Sequence, residues 1–176
     1  MGKYEKWKIL QIIEEEDVKF IRLQFVDLFG TIKNIAVTAG QMEKALAGKC
    51  MIEGQRVHGM RELGYGSLFL QPDIDTFSIL PWRPQQGKVA RFLCDLTDRE
   101  GRRIQESPRQ ILRNVLLKAE EEGYDFDIDP ECEFFLFETD EEGNPTTYTR
   151  EKANYLDVAP LDQGENVRRD MILTLE

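Results

Sequence analysis

The sequence predicts an α+β chain made of two successive parts. Three observations carry this. The hydrophobic period changes from helical to two-residue alternation at Val18, and several short strand-like runs follow without intervening long helices. The clearest amphipathic helix comes only after residue 107. Between the two parts lies Asp98-Arg99-Glu100-Gly101-Arg102-Arg103, a charged, glycine-centred turn and the expected boundary, giving domains over 1–103 and 104–176. Strands grouped ahead of the helix argue against a βαβ series.

Residues 4–16 are expected to form a helix on Trp7, Leu10 and Ile13, widened by Ile9 and Ile12. Ile21, Leu23 and Phe25 alternate with Arg22 and Gln24 as a strand does. Asp27-Leu28-Phe29-Gly30 reads as a tight connection and 31–37 as the return strand. A short helix over 41–47 stops at Gly48. Cys50 to Gly66 shows no clean period and reads as a long loop, a kind of segment that is often functional. Leu68–Leu70, Thr76–Leu80 and Val89–Leu96 read as strands, separated by Pro72-Asp73 and by Pro81-Trp82-Arg83-Pro84. Ser107-Pro108 opens a helix over 109–122 whose stripe is Ile111, Leu112, Val115, Leu116 and Ala119, and Gly123 ends it. Asp125–Phe137 is expected to be a buried strand, Asp140–Pro145 its turn, and Met171–Glu176 a last strand that stops inside a domain.

Composition narrows the function. A hydrophobic fraction of 41% with ten Phe supports a packed core, and a formal charge of −10 disfavours nucleic acid and anionic membranes as partners. Cys50, Cys94 and Cys132 are odd in number and scattered, which fits a reducing, cytoplasmic setting rather than a disulfide framework. No apolar run reaches the length of a membrane span or a secretory leader. The lone His58 reads as a loop histidine, Arg168 and Arg169 beside Asp170 as a structural ion pair, and Trp7 and Trp82 as core anchors.

The chemistry is concentrated in Asp129-Pro130-Glu131-Cys132-Glu133-Phe134-Phe135-Leu136-Phe137. On a strand, Glu131 and Glu133 would share one face. Two carboxylates beside an aromatic run need a cation or water. They suit a hard divalent ion, or one each of a pair of ions. They equally suit a general acid–base pair, and an edge strand with a wet outer face requires neither.

This segment resembles the glutamine synthetase signature in which Glu-Pro-Glu precedes Phe-Phe-Leu-Phe, with Cys132 in place of the central proline. The resemblance continues in Ile21–Phe25 with Asp27 and Gly30–Asn34, in Leu70–Asp73, in Gly87–Phe92, and in Asp157–Asp162 with Gly164–Asn166. Nearly the whole chain is thus similar to the first part of a prokaryotic type I-like glutamine synthetase. That resemblance implies an N-terminal β-grasp domain followed by the truncated start of the catalytic domain. It implies ATP-dependent ligation of glutamate and ammonia to glutamine through γ-glutamyl phosphate, with Mg²⁺ or Mn²⁺. Glu131 would ligate the metal near the nucleotide and Glu133 the metal near glutamate. Full-length relatives form homododecamers whose sites lie between subunits. Residues 1–176 alone are expected to be inactive.

Where many relatives carry Asp-Gly-Ser-Ser, this chain has Glu53-Gly54-Gln55-Arg56. Glu53 keeps the carboxylate that the resemblance assigns to the ammonium ion and its proton, one methylene longer, and Arg56 adds a positive charge. A ligase for another amine, and a noncatalytic assembly protein, are the rival readings.

Overall fold

The computed structural model describes residues 5–82, 86–149 and 152–176. Tyr4, the first residue of the first expected helix, and Arg83-Pro84, in the expected connection, lie outside the described residues. The chain divides into two compact units, Met1–Phe126 and Asp127–Glu176.

The first unit is built on one sheet. Helix α1 (Lys6–Glu15) buries Ile9 and Ile13. Strand β1 (Val18–Val26) follows and alternates as expected, burying Ile21, Leu23 and Phe25. Gly30, at φ +83°, turns the chain into β2 (Ile32–Thr38), which pairs antiparallel with β1. A 3₁₀ turn leads into α2 (Met42–Leu46), whose Met42, Ala45 and Leu46 are buried, and Gly48 stops it at φ +68°. Strands β3 (Cys50–Glu53), β4 (Ser67–Pro72), β5 (Ser78–Ile79) and β6 (Lys88–Thr97) complete the sheet.

The strand order is β2-β1-β6-β4-β3, with β5 also on β6. β1 and β6 run parallel at the centre, and the other pairs are antiparallel. Central position fits composition: β1 and β6 are the longest strands and supply Ile21, Leu23, Ala90 and Phe92 to the core. Ile21, Leu23 and Phe92 each contribute about 1.5–3 kcal/mol by leaving water.

Several expectations need correction. The long loop over 50–66 contains β3 and a 3₁₀ turn, Gly54–Arg56. Four residues are too few to display a period, but they pair with β4 from Cys50–Leu70 to Glu53–Ser67. The strand expected over 76–80 shrinks to Ser78–Ile79, because Asp73 Oδ1 accepts the Asp75 N–H and turns Ile74–Thr76 into a 3₁₀ helix. Trp7 and Trp82 are not core anchors: they are 62% and 68% exposed. Trp7 Nε1 donates to Glu5 Oε2 at 2.6 Å instead.

Helix α3 (Pro108–Glu121) belongs to the first unit and begins at the expected proline, but the Ser107 side chain makes no capping bond. Its stripe of Ile111, Leu112, Val115 and Leu116 is exposed. The basic side of the helix is what engages the sheet, through Arg109 and Arg113.

The second unit departs furthest from the sequence reading. Asp125–Phe137 forms no strand. Among the described residues it has no neighbouring strand to pair with, and an unpaired strand cannot satisfy its backbone groups. A small hairpin follows, where Glu138 N–H donates to Tyr148 O at 2.9 Å and Thr146 N–H to Glu138 O at 2.8 Å around the expected Asp140–Pro145 turn. Met171–Glu176 is not a strand but the end of helix α4 (Glu165–Leu175). Val167, Met171 and Leu175 recur at four-residue intervals, and Glu165 suits the positive end of the helix dipole.

Candidate functional site

Three clusters carry chemistry. The first surrounds Glu53. β3 delivers it to the rim of the sheet, and the 3₁₀ turn Gly54–Arg56 follows at once. Glu53 is the N-cap of this single turn and Arg56 its last residue, so the turn brings the two close, and Arg56 Nε donates to Glu53 Oε2 at 2.8 Å. The turn is tied at its base by Gly54 N–H to Gly66 O at 3.0 Å. Gly54 leaves no room for a side chain, since a β-carbon there would fall 2.6 Å from Tyr65 O.

A groove of about 430 Å³ lies beside this pair, lined by Phe25, Lys33, Ile35, Met51, Glu53 and Arg56 among others. Its walls come from β2 and β3, opposite ends of the strand order, so the sheet curls until its two edges face one space.

The β1–β2 connection braces the same loop. Leu28 occupies the space above Gly59, where a β-carbon would fall 2.3 Å from Leu28 Cδ1. Phe29 meets His58 edge to face, with ring centroids 5.6 Å apart. His58 is therefore an exposed loop residue in a ring contact. Beneath them Asp27 is fully buried, and its Oδ1 accepts the N–H groups of Phe29 at 3.0 Å and Thr31 at 2.9 Å. Its Oδ2 accepts no hydrogen bond among the described residues and faces Lys33 Nζ at 3.6 Å. Burial opposes ionisation of Asp27, but the Thr31 and Phe29 amides and Lys33 outweigh it and hold the carboxyl below its usual range.

The second cluster was not read from the sequence. Asp95, on β6 and with its side chain only 7% exposed, meets Arg109 Nε at 2.9 Å, Arg113 at 2.7 Å and Arg103 Nε at 3.3 Å. Asp73 shares Arg109 and approaches Arg113 at 3.9 Å. Two signals were available: an aspartate inside the apolar run Phe92–Leu96, and two arginines four apart on one helix. The cluster fastens α3 to the sheet. Nearby, burial pushes the Cys94 thiol up to about 12, so it is an inert core residue.

The third cluster is the carboxylate segment of the second unit. Glu131 and Glu133 are both exposed and lie outside any regular element. Phe135 and Phe137 stack at 6.1 Å. A groove of about 330 Å³ is lined by Phe134, Phe135, Leu136, Thr149, Ala153 and Arg168, but by neither glutamate. No group of three or more His, Cys, Asp or Glu side chains is placed to hold a metal among the described residues. As donors, two carboxylates suit a hard cation such as Mg²⁺ or Mn²⁺ and supply a minority of its six or so oxygens. Arg168 pairs with Asp162 rather than Asp170.

A curled β-grasp sheet followed by a helix fastened to it defines an α+β protein whose acidic sequence motif lies after the sheet. The chain belongs to the glutamine synthetase family: the model described as "Glutamine synthetase, beta-Grasp domain" matches residues 17–99, and "Glutamine synthetase, catalytic domain" matches 105–176. The glutamine synthetase of Clostridium saccharobutylicum is 51% identical over 176 residues, covering 100% of this chain and 40% of that protein. A glutamine synthetase of Staphylococcus aureus is 44% identical over 174 residues, covering 98% of this chain and 39% of its own. The chain thus spans about 40% of the length of the curated relatives it matches. In fold it is similar to the Plasmodium falciparum glutamine synthetase solved by electron cryomicroscopy, with a TM-score of 0.60, 16% identity, and 70% of this chain and 24% of that chain covered. It is also similar to GmaS in complex with ADP, at a TM-score of 0.57 and 23% identity, over 64% of this chain and 25% of that one. No helix among the described residues is long and apolar enough to cross a membrane.

Proposed function

We propose that this chain supplies the β-grasp domain, residues 1–103, and the first part of the catalytic domain, residues 104–176, of an ATP-dependent carboxylate–amine ligase. The observation that carries the reading is the identity of 51% with a glutamine synthetase along the full 176 residues, supported by two family models in the expected order. In the reaction, an oxygen of the glutamate γ-carboxylate attacks the terminal phosphorus of ATP and ADP leaves. Ammonia then attacks the acyl carbon of γ-glutamyl phosphate, loses a proton, and phosphate departs with the glutamine amide formed.

Glu131 would hold a divalent cation on the nucleotide side and Glu133 one on the glutamate side. When bound, Mg²⁺ or Mn²⁺ neutralises charge on the phosphoryl group being transferred. Glu53 would bind ammonium and take up its proton. The working form would be a cytoplasmic homododecamer in which the β-grasp domain of one subunit completes the site of the next, excluding water from the acyl phosphate. Since two carboxylates do not fill a cation's shell, the 176-residue chain alone should neither ligate nor bind Mg²⁺·ATP tightly. Calorimetry on the chain tests this: no resolved heat is expected, and tight saturable binding would contradict it.

A second reading, a ligase for a different amine, is favoured by one observation. Glu53 already holds a cation, Arg56, at 2.8 Å. Phosphate release from glutamate and ATP by the full-length polypeptide, with ammonium and then with organic amines, separates the two. Strong ammonium-dependent turnover would remove the second reading.

A further inference from the structure

The Glu53–Arg56 pair has a consequence for amine capture that follows from how the local backbone is built. The pair is not a chance meeting of long side chains. The 3₁₀ turn follows Glu53 at once, Gly54 is locked under Tyr65 O, and Val57 is buried just beyond the turn. The backbone therefore holds Glu53, at the N-cap, and Arg56, at the end of the turn, close enough for their side chains to meet at 2.8 Å. Among the described residues the groove lining adds no second anion. Lys33 lines the same groove, so the lining carries two cations against the single carboxylate of Glu53. The carboxylate that balances Lys33, Asp27, is buried below and is not part of the lining.

We propose that Arg56 is a specificity-determining residue that competes with cationic amines for Glu53 and so raises the ammonium concentration the ligase requires. This rests on the ligase reading above, since Arg56 acts on the duty assigned there to Glu53. A carboxylate holding a guanidinium offers an incoming ammonium ion a neutral pair in place of a negative charge. The effect depends on charge, so it extends to methylammonium and not to hydroxylamine, which is largely uncharged at neutral pH. Arg56 is 83% and Glu53 65% exposed, so the competition is screened by salt and modest in size.

The test is steady-state kinetics of the full-length polypeptide carrying Arg56→Gln or Arg56→Lys. At low ionic strength, Arg56→Gln should lower KM for ammonium by roughly 1.5-fold to fivefold, the range of an exposed ion pair. KM for hydroxylamine should not follow, and the ammonium difference should shrink at high salt. Arg56→Lys, which keeps the charge, should retain the parent's KM for ammonium. An unmoved KM for ammonium in Arg56→Gln overturns the proposal and leaves the ligase reading standing. So does an equal fall in Arg56→Lys, or a parallel fall for hydroxylamine. Absence of amine-dependent phosphate release in parent and variants alike overturns both.

Discussion

At the residue scale, two positions hold the loop that carries Glu53. Asp27 satisfies the Phe29 and Thr31 N–H groups from inside the core. Asp27→Ala would leave both donors without an acceptor and should destabilise the chain by about 1–3 kcal/mol in urea denaturation at neutral pH. Its folded pKa lies below the unfolded value near 3.8. The ionisation-dependent part of the Asp27 contribution is therefore complete above that value and lost as pH falls through the folded one, so the gap between parent and Asp27→Ala should narrow in strong acid. Equal gaps at neutral and strongly acid pH would contradict the assignment. Gly59 sits at φ +84° with Leu28 in its side-chain space. Gly59→Ala should cost about 1–3 kcal/mol from strain and overpacking. Adding Leu28→Ala should restore the steric part alone, because the backbone strain remains. A double-mutant cycle with no coupling would refute the contact.

At the element scale, α3 is fastened to β6 by charge more than by its apolar stripe. Asp95 binds three arginines, two of them from α3. Asp95→Ala should destabilise the chain by about 2–3 kcal/mol, less than a fully buried pair because the guanidiniums are partly exposed. Amide exchange should accelerate in Pro108–Glu121 ahead of β1. Unchanged exchange in α3 would show that something else holds it. The stripe Ile111–Leu116 was legible as a helix because its spacing continues to Ala119 within a helix of 14 residues. Its partner was not, since periodicity identifies a face and says nothing of what lies opposite. The same limit misled the reading of Met171–Glu176, where a short apolar run suits a strand and a helix end equally well.

At the scale of the whole molecule, order and burial follow the sheet. The buried apolar core runs from Ile9 to Ile104, and Asp127–Glu176 adds no side chain to it among the described residues. Hydrogen exchange should therefore be slowest in β1 and β6 and near intrinsic rates over 127–137. Protection of Phe134–Phe137 comparable to β1 would contradict this. β1, β2, β4 and β6 were legible because alternation, glycine turns and proline breaks agreed with one another, whereas β3 and β5 were too short to show a period of their own. The pairing of β1 with β6 was not, because parallel neighbours distant in sequence leave no local signal. Glu131 and Glu133 stood out as a candidate cation pair by residue type and spacing, but their expected common face required a strand that does not form. The most direct measurement of the central claim is phosphate release from ATP by the full-length polypeptide with glutamate, an amine and Mg²⁺, comparing the parent with Glu131→Gln and Glu133→Gln. Amine-dependent release that falls at least a hundredfold in each variant is the predicted result. Release that is absent in the parent, or unchanged when either carboxylate is removed, would contradict it.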